Sequence, residues 1–483
     1  MNFRIVCQFL GKISLAESAV MLLPLALALV LGEDAAVAFF GAAAGCFGTA
    51  LVLLRRGQVR KRLLTMREGI AITGLGWLLA TGLGMLPYVL SGHLVLLDGV
   101  FESISGFTGT GATVIDDLEV LPQSLLLWRS MTHWLGGLGI VVIFIALLPE
   151  SGQDSSYIYN AEAAGPTKER VLPRLREMTQ VLFQLYMAFT VIALAVFIGC
   201  GMDLISAVNH ALSTISAGGF STYNESAARF ESPAIEGWMT FFMILAGGNF
   251  GLYYRVYQKG FAVLRRNTEF KAYLTILGVS TCLVVINLMM SLAISLPEAL
   301  RFASFQVASI ATTGFVSADY DLWPPFSKGV LLLLMLCGGC AGSTAAGLKV
   351  SRLVILVRTA WAAAVHAAFP KRLAAVTMNG CEIDGSTVIR VGQFFFLYMV
   401  FIAFWAALLT FDGIAGFDAI GISITTMGCI GPAFGVTGAT CTYAELSSFS
   451  KTILCLSMLV GRLEIFTVLV MLRPGFWRKK GNW

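Results

Sequence analysis

Ten apolar runs divide the chain, at roughly 13–31, 36–54, 69–90, 130–148, 180–202, 237–254, 272–297, 329–357, 391–411 and 452–472. A helix needs ~20 such residues to cross a hydrocarbon core. The sixth run is short and the eighth long, so the pattern predicts a break in the eighth. The polar stretches between runs alternate in sign. Basic residues follow the second run (Arg55, Arg56, Arg60, Lys61, Arg62, Arg67) and the fourth (Lys168, Arg170, Arg174, Arg176). They recur after the sixth (Arg255, Lys259, Arg265, Arg266, Lys271), around the eighth-to-ninth connection (Arg358, Lys371, Arg372, Arg390) and at the end (Arg473, Arg478, Lys479, Lys480). Basic loops stay on the cytoplasmic side, which places both termini there. The opposite loops carry Asp98, Glu102, Asp116, Asp117, Glu119, Asp203, Glu225, Glu231, Glu298, Asp319, Asp321 and Glu445. A cleft lined by them would concentrate cations, though ordinary solvated loop charge accounts for most of these acids.

The outer loops share one plan. After runs three, five, seven and nine comes a short apolar segment, at about 97–107, 204–216, 297–311 and 414–427, then a glycine turn, then a polar stretch. Each segment is too short to span and fits a re-entrant half-helix. The expected fold is an all-α integral membrane protein of ten transmembrane helices, with four span/half-helix/turn/span repeats in pseudo-fourfold array. The divisions are 1–66 (an N-terminal helix pair), 67–176, 177–270, 271–380 and 381–483 (pore repeats one to four). The turn glycines Gly111, Gly219, Gly314 and Gly431 are 108, 95 and 117 residues apart, too far for a solenoid period.

Composition sharpens this picture. Of 483 residues, 57% are hydrophobic and 13% charged, against about 25% charged in soluble domains. Mean hydropathy is +0.80, which leaves little room for a soluble domain. The net charge of +5 is scattered in short clusters and gives no nucleic-acid signal. The ten cysteines fall mostly in apolar segments and read as small buried hydrophobes. Residues 1–8 carry one arginine and no cleavage pattern, so no removable signal peptide is expected. The four histidines share no ligand spacing, and no nucleotide fingerprint occurs.

Four turns carry the chemistry: Gly109-Thr110-Gly111, Ala217-Gly218-Gly219, Thr312-Thr313-Gly314 and Cys429-Ile430-Gly431. Non-helical backbone at membrane depth is tolerated only where it lines water or is buried in protein. Glycine takes positive φ freely and lets successive carbonyls aim inward. Rings of carbonyls replace the hydration shell of a cation. The turns are therefore expected to form a cation-binding filter.

Three further motifs accompany them: Trp134-Leu135-Gly136-Gly137-Leu138-Gly139, Gly338-Gly339-Cys340-Ala341-Gly342-Ser343-Thr344, and Gly461-Arg462-Leu463-Glu464. Together with Phe476-Trp477-Arg478 and the ten-run order, the chain resembles the TrkH/TrkG branch of the Trk/Ktr/HKT superfamily of potassium and sodium uptake proteins. The likeness covers nearly the whole chain. It implies potassium preference, since all four filter glycines are present, and an intramembrane gate at Gly338, Gly339, Ala341, Gly342, Ser343, Thr344 and Gly347. It implies that Arg462 projects below the filter as an electrostatic barrier. It also implies a homodimer on a cytoplasmic TrkA-type ring, which alone would bind NAD or ATP; no organic cofactor is expected in this chain. The sequence departs from the family at Gly109, at Ala345-Ala346-Gly347, and at Gly428-Cys429-Ile430, where relatives often carry threonine, more glycine, and asparagine respectively.

Each feature has a plainer alternative. The 338–347 run could be a small-residue packing face, and Arg462 could be paired with a carboxylate or with helix C-terminal carbonyls. Glu464, two residues on, faces elsewhere on a helix. Lys349 could repel cations or snorkel to the interface. The Cys337/Cys340 spacing has no redox surroundings. The expected function is potassium uptake across a bacterial inner membrane, driven by the potential, with proton or sodium coupling left open. The competitors are an intramembrane serine hydrolase using Ser343 with His133 or His210, and a secondary transporter for another solute.

Overall fold

The computed structural model describes residues 1–58, 65–137, 139, 175–371 and 375–478. Leu138, most of the second half of the fourth run, and Arg60, Lys61, Arg62, Lys168, Arg170, Arg174, Arg372, Lys479 and Lys480 lie outside the described residues.

The N-terminal pair is α1 (Phe3–Leu31) and α2 (Ala35–Arg56). Asn2 starts α1 by accepting from the Arg4 amide at 3.2 Å, and Gly32 ends it at φ 68°. One face of α2 buries Ala35, Ala38, Ala42, Cys46 and Ala50. Small side chains at that spacing let helices approach closely in a membrane. Ser18 of α1 reaches the Ala43 carbonyl of α2 at 2.8 Å.

The rest follows the expected alternation. The elements are α3 (Met66–Gly84), α4 (Leu96–Thr108), α5 (Gln123–Gly137), α6 (Leu175–Gly199), α7 (Leu204–Ile215), α8 (Pro233–Ala246) and α9 (Phe250–Lys259). They continue as α10 (Thr268–Leu292), α11 (Leu296–Thr312), α12 (Pro325–Met335), α13 (Val350–Ala368), α14 (Gly385–Phe411), α15 (Gly416–Gly428), α16 (Ser448–Leu463) and α17 (Ile465–Leu472). A two-residue hairpin, Thr377–Met378 with Cys381–Glu382, lies between α13 and α14. Among the described residues, seven helices are long and apolar enough to cross a membrane. Their outward faces bear apolar side chains such as Val30 (82% exposed) and Met290 (81% exposed), which lipid would cover.

Three runs are not the single helices the pattern suggests. The sixth parts at Gly247-Gly248-Asn249, where the Asn249 side chain accepts from the Leu252 amide at 3.0 Å and starts α9. The eighth, whose break was expected, gives α12, an irregular stretch at 336–349, and α13. The tenth bends by 110° at Glu464, which has φ 60°. At the breaks in the sixth and eighth runs, freed backbone groups find partners on each other's segments, as described below.

The half-helices α4, α7, α11 and α15 end within two residues of their expected limits. Asp203 caps α7 by accepting from the Ser206 amide at 3.0 Å, and Pro297 sits in the first turn of α11. The apolar core is distributed around these elements. Phe101 and Ile104 of α4 pack with Tyr443, Leu454 and Met458 near the chain's end. Phe305, Ala308 and Phe315, in and just after α11, pack with Met239, Phe242 and Met243 of α8.

Candidate functional site

The site begins where the half-helices stop. In α4, Gly109 turns left-handed (φ 70°), its amide bonding to Gly106 O at 3.0 Å and the Thr110 amide to Ser105 O at 2.9 Å. This doubly bonded C-terminal cap satisfies the last carbonyls and swings the chain off the helix axis. The cap repeats at Ala217 (φ 56°), with Gly218 N to Ser213 O at 2.9 Å, and at Cys429 (φ 53°), with Ile430 N to Thr425 O at 2.9 Å. Ala217 and Cys429 hold a backbone conformation that side chains disfavour. The third turn differs: α11 runs one residue further, through Thr312, and Gly314 N bonds to Ser309 O at 2.9 Å.

Beyond the caps the four turns touch in cyclic order. Gly111, Gly219, Gly314 and Gly431 all have positive φ, from 80° to 103°. A Cβ on Gly219 would stand 2.5 Å from Thr313 O, and one on Gly431 2.5 Å from Thr110 O. On Gly111 or Gly314 it would overlap the Gly218 or Ile430 carbonyl oxygen. Turn one thus abuts two, two abuts three, three abuts four, and four abuts one. Of the expected filter residues, Gly111, Gly219, Gly314 and Gly431 thus meet the carbonyls of Gly218, Thr313, Ile430 and Thr110, and Thr110, Ala217, Thr312, Thr313, Cys429 and Ile430 are buried.

Polar groups brace the ring from behind. The Tyr443 hydroxyl donates to Gly431 O and the Tyr320 hydroxyl to Ala433 O, each at 2.7 Å. Behind turns one and two, Arg129 Nε meets Glu102 Oε1 at 2.7 Å, with both side chains buried. The His133 ring stacks on Phe220 with centroids 3.9 Å apart. Glu102 is therefore not a solvated loop charge. Asp98 also differs from that expectation, since it pairs with Lys451 at 2.8 Å. The reading by apolar runs missed Arg129. The available signal was an arginine flush against the fourth run, where a charge at depth needs a partner.

The 336–349 stretch folds back on itself beneath the ring. Gly338 N bonds to Leu348 O at 2.9 Å and Val350 N to Gly339 O at 3.1 Å. Cys340 N bonds to Gly247 O at 2.8 Å and Phe250 N to Gly342 O at 3.2 Å, so the breaks in the sixth and eighth runs satisfy each other. Glu269 accepts from the Ala341 and Ser351 amides at 2.6 and 3.1 Å. Thr344 Oγ1 lies 3.1 Å from Ile215 O and 3.2 Å from Ala246 O, which ties the loop to the ends of α7 and α8. The stretch is therefore a loop and not a helical packing face. All ten cysteines are free; four are buried, including Cys340 and Cys429, and three are exposed, which departs from the expected general burial.

Arg462 reaches across to this loop. Its guanidinium donates to Thr344 O and Gly137 O, each at 3.2 Å, and to Gly136 O. It lines a cavity of about 120 Å³ together with Gly342, Thr344, Lys349 and Glu464. It thus holds carbonyls, including two at the C-terminus of α5, while facing the space below the ring. Lys349 does not snorkel: it is buried and donates back to Ala345 O. Glu464 pairs with Arg352 at 2.6 Å. Ser343 donates to Cys340 O at 2.6 Å. His133 contacts Ser213 and the Phe220 amide, and His210 contacts Ser206 O and Ser221, so the envisaged hydrolase grouping is not assembled.

Comparison with known proteins agrees with this geometry. The TrkH family model, described as a cation transport protein, matches residues 34–479. The Trk system potassium uptake protein TrkH of Halomonas elongata is 34% identical over 99% of this chain and 100% of its own length. TrkH of Escherichia coli K12 is 33% identical over the same shares, and TrkG of that organism 32% identical over 99% of each chain. The crystal structure of the potassium transporter TrkH from Vibrio parahaemolyticus superposes with a TM-score of 0.89 at 29% identity, covering 99% of this chain and 100% of the other. On sequence and structure together, the chain belongs to the TrkH family of cation transport proteins.

Proposed function

We propose that this protein is the pore subunit of a potassium uptake system in a bacterial inner membrane. The observation that carries this is the closed cycle of four glycine turns, each with its backbone against the next turn's carbonyl. The relatives' names, Trk system potassium uptake proteins, support potassium as the cargo. Carbonyls of Gly109, Thr110, Gly111, Ala217, Gly218, Gly219, Thr312, Thr313, Gly314, Cys429, Ile430 and Gly431 would replace the ion's water shell. Gly338, Gly339, Ala341, Gly342, Ser343, Thr344 and Gly347 form the gate beneath, with Arg462 as the charge that raises its barrier. The broken and bent runs count as spans in this reading, which gives ten transmembrane segments in four pseudo-equivalent repeats after the N-terminal pair. Both termini are cytoplasmic on the positive-inside rule. The chain acts as a homodimer on a TrkA-type ring, which supplies any nucleotide control.

The driving force needs no hydrolysis by this chain. A monovalent cation gains roughly 2.3 kcal/mol per 100 mV of inside-negative potential, which supports about 50-fold accumulation. Rubidium uptake by a bacterium lacking its own potassium uptake, expressing this chain with and without a TrkA-type subunit, tests the reading. Saturable uptake competed by potassium much better than by sodium is expected. Uptake no faster than in the empty strain would overturn it.

A further inference from the structure

Behind the first two turns sits an ion pair in an unusual place. Arg129 of α5 and Glu102 of α4 have side chains 1% and 0% exposed. Desolvating two charges is unfavourable unless every remaining donor and acceptor is met. Here each guanidinium nitrogen and each carboxylate oxygen has at least one partner. Arg129 Nη1 donates to Ser221 O at 3.1 Å and Nη2 to Thr113 Oγ1 at 3.2 Å. Glu102 accepts from Thr113 Oγ1 and from the Val114 amide, both at 3.1 Å. The guanidinium lies 4.0 Å over the Phe220 ring. Thr113 and Ser221 are each the second residue after a filter glycine, Gly111 and Gly219. One planar group therefore spans the outer arms of two neighbouring turns.

The other side of the ring is braced without charge. The position matching Thr113 and Ser221 in turn four is Ala433, and its carbonyl is taken by the neutral Tyr320 hydroxyl. A guanidinium fixes two bond directions in one plane, which neither a tyrosine nor a lysine can do. Alone it would also repel the cation in the ring, so the adjoining carboxylate cancels that field.

We propose that Arg129 and Glu102 are a positioning pair for cation selection: the guanidinium sets the spacing between the first and second turns, and the carboxylate neutralises it. This rests on the filter reading of the four turns. The bland alternative is an ion pair that only holds the fold, and the two differ in what they do to selectivity.

The test is rubidium uptake with sodium competition, using the full chain in the uptake-deficient strain with its regulatory subunit. Arg129→Lys keeps the charge and loses the fork; sodium competition should strengthen on the order of tenfold, with maximal rate little changed. Glu102→Gln keeps the shape and leaves one charge uncompensated. Half-saturation for rubidium and sodium should then rise together, severalfold or more, because an uncompensated positive charge behind the ring repels both ions alike. Thr113→Val keeps both charges and removes the hydroxyl that joins turn one to both of them, so sodium competition should strengthen severalfold. Gly111→Ser serves as the reference for the filter itself. If it alters selectivity while the pair variants, present at wild-type level and monodisperse, keep wild-type ratios and half-saturation, the pair is structural only and the proposal falls. If Gly111→Ser also changes nothing, the filter reading fails first. Should the two charge variants not accumulate, Thr113→Val decides, and an unchanged ratio overturns the proposal.

Discussion

At the scale of single residues, the ring is governed by what a Cβ would displace. Gly111 has φ 80° and lies so close to turn two that any side chain would overlap the Gly218 carbonyl oxygen. Serine there must push the second turn outward, besides straining its own backbone. Gly111→Ser is therefore expected to relax potassium-over-sodium selectivity by tenfold or more, about 1.4 kcal/mol of discrimination. Permeability ratios measured in proteoliposomes check this, and an unchanged ratio in a folded variant would count against the ring as the selecting element. Cys429 illustrates a different point. It looks like the weakest match to the other turns, yet its αL cap and the Ile430-to-Thr425 bond repeat those of Gly109 and Ala217. The conformation carried over although the side chain did not. Residue type alone did not reveal this, because a positive φ at a non-glycine position becomes visible only when surrounding contacts impose it.

At the scale of elements, the interrupted helices explain one another. Cys340 N takes Gly247 O and Phe250 N takes Gly342 O, so neither break leaves its backbone bare in the membrane. Arg462 adds three carbonyl contacts, to Thr344, Gly136 and Gly137, and so fastens the loop to α16 and to the end of α5. Arg462→Ala removes both the fastening and a charge from the cavity. It should raise rubidium leak through the protein reconstituted without its regulatory partner, on the order of tenfold. A variant that folds normally and conducts less would sink the barrier role. The half-helices were legible from their lengths and following glycines. The breaks at 247–249 and 464 were not. A run of apolar residues fixes that a segment is buried in the membrane, whereas its continuity depends on partners such as Arg352 for Glu464.

For the whole molecule, the relevant quantity is the field across the bilayer. Uniport is the case in which the cation alone carries charge through the ring, driven by the potential. Potassium accumulation should then fall about tenfold for each ~60 mV of depolarisation, following ~2.3 kcal/mol per 100 mV. Steady-state rubidium ratios in vesicles whose potential is set by a proton gradient and a protonophore would measure this. A ratio insensitive to potential would exclude uniport and favour coupling to a second ion of opposite movement.

The sequence by itself determined that the chain lives in a membrane, that four short apolar helices lie between its longer runs, and that a glycine turn follows each. These follow from local rules: span length, the sign of loop charge, and the backbone freedom of glycine. The tertiary structure alone decided that the turns close on one another in the order one, two, three, four, one. It also decided that Glu102 leaves the solvent for Arg129, and that Arg462 bridges loop and helix end. Those facts join residues more than a hundred positions apart, or turn on which of several nearby charges meet. No periodicity along the chain encodes them, because burial makes each polar group seek whatever partner the packed neighbours bring within reach.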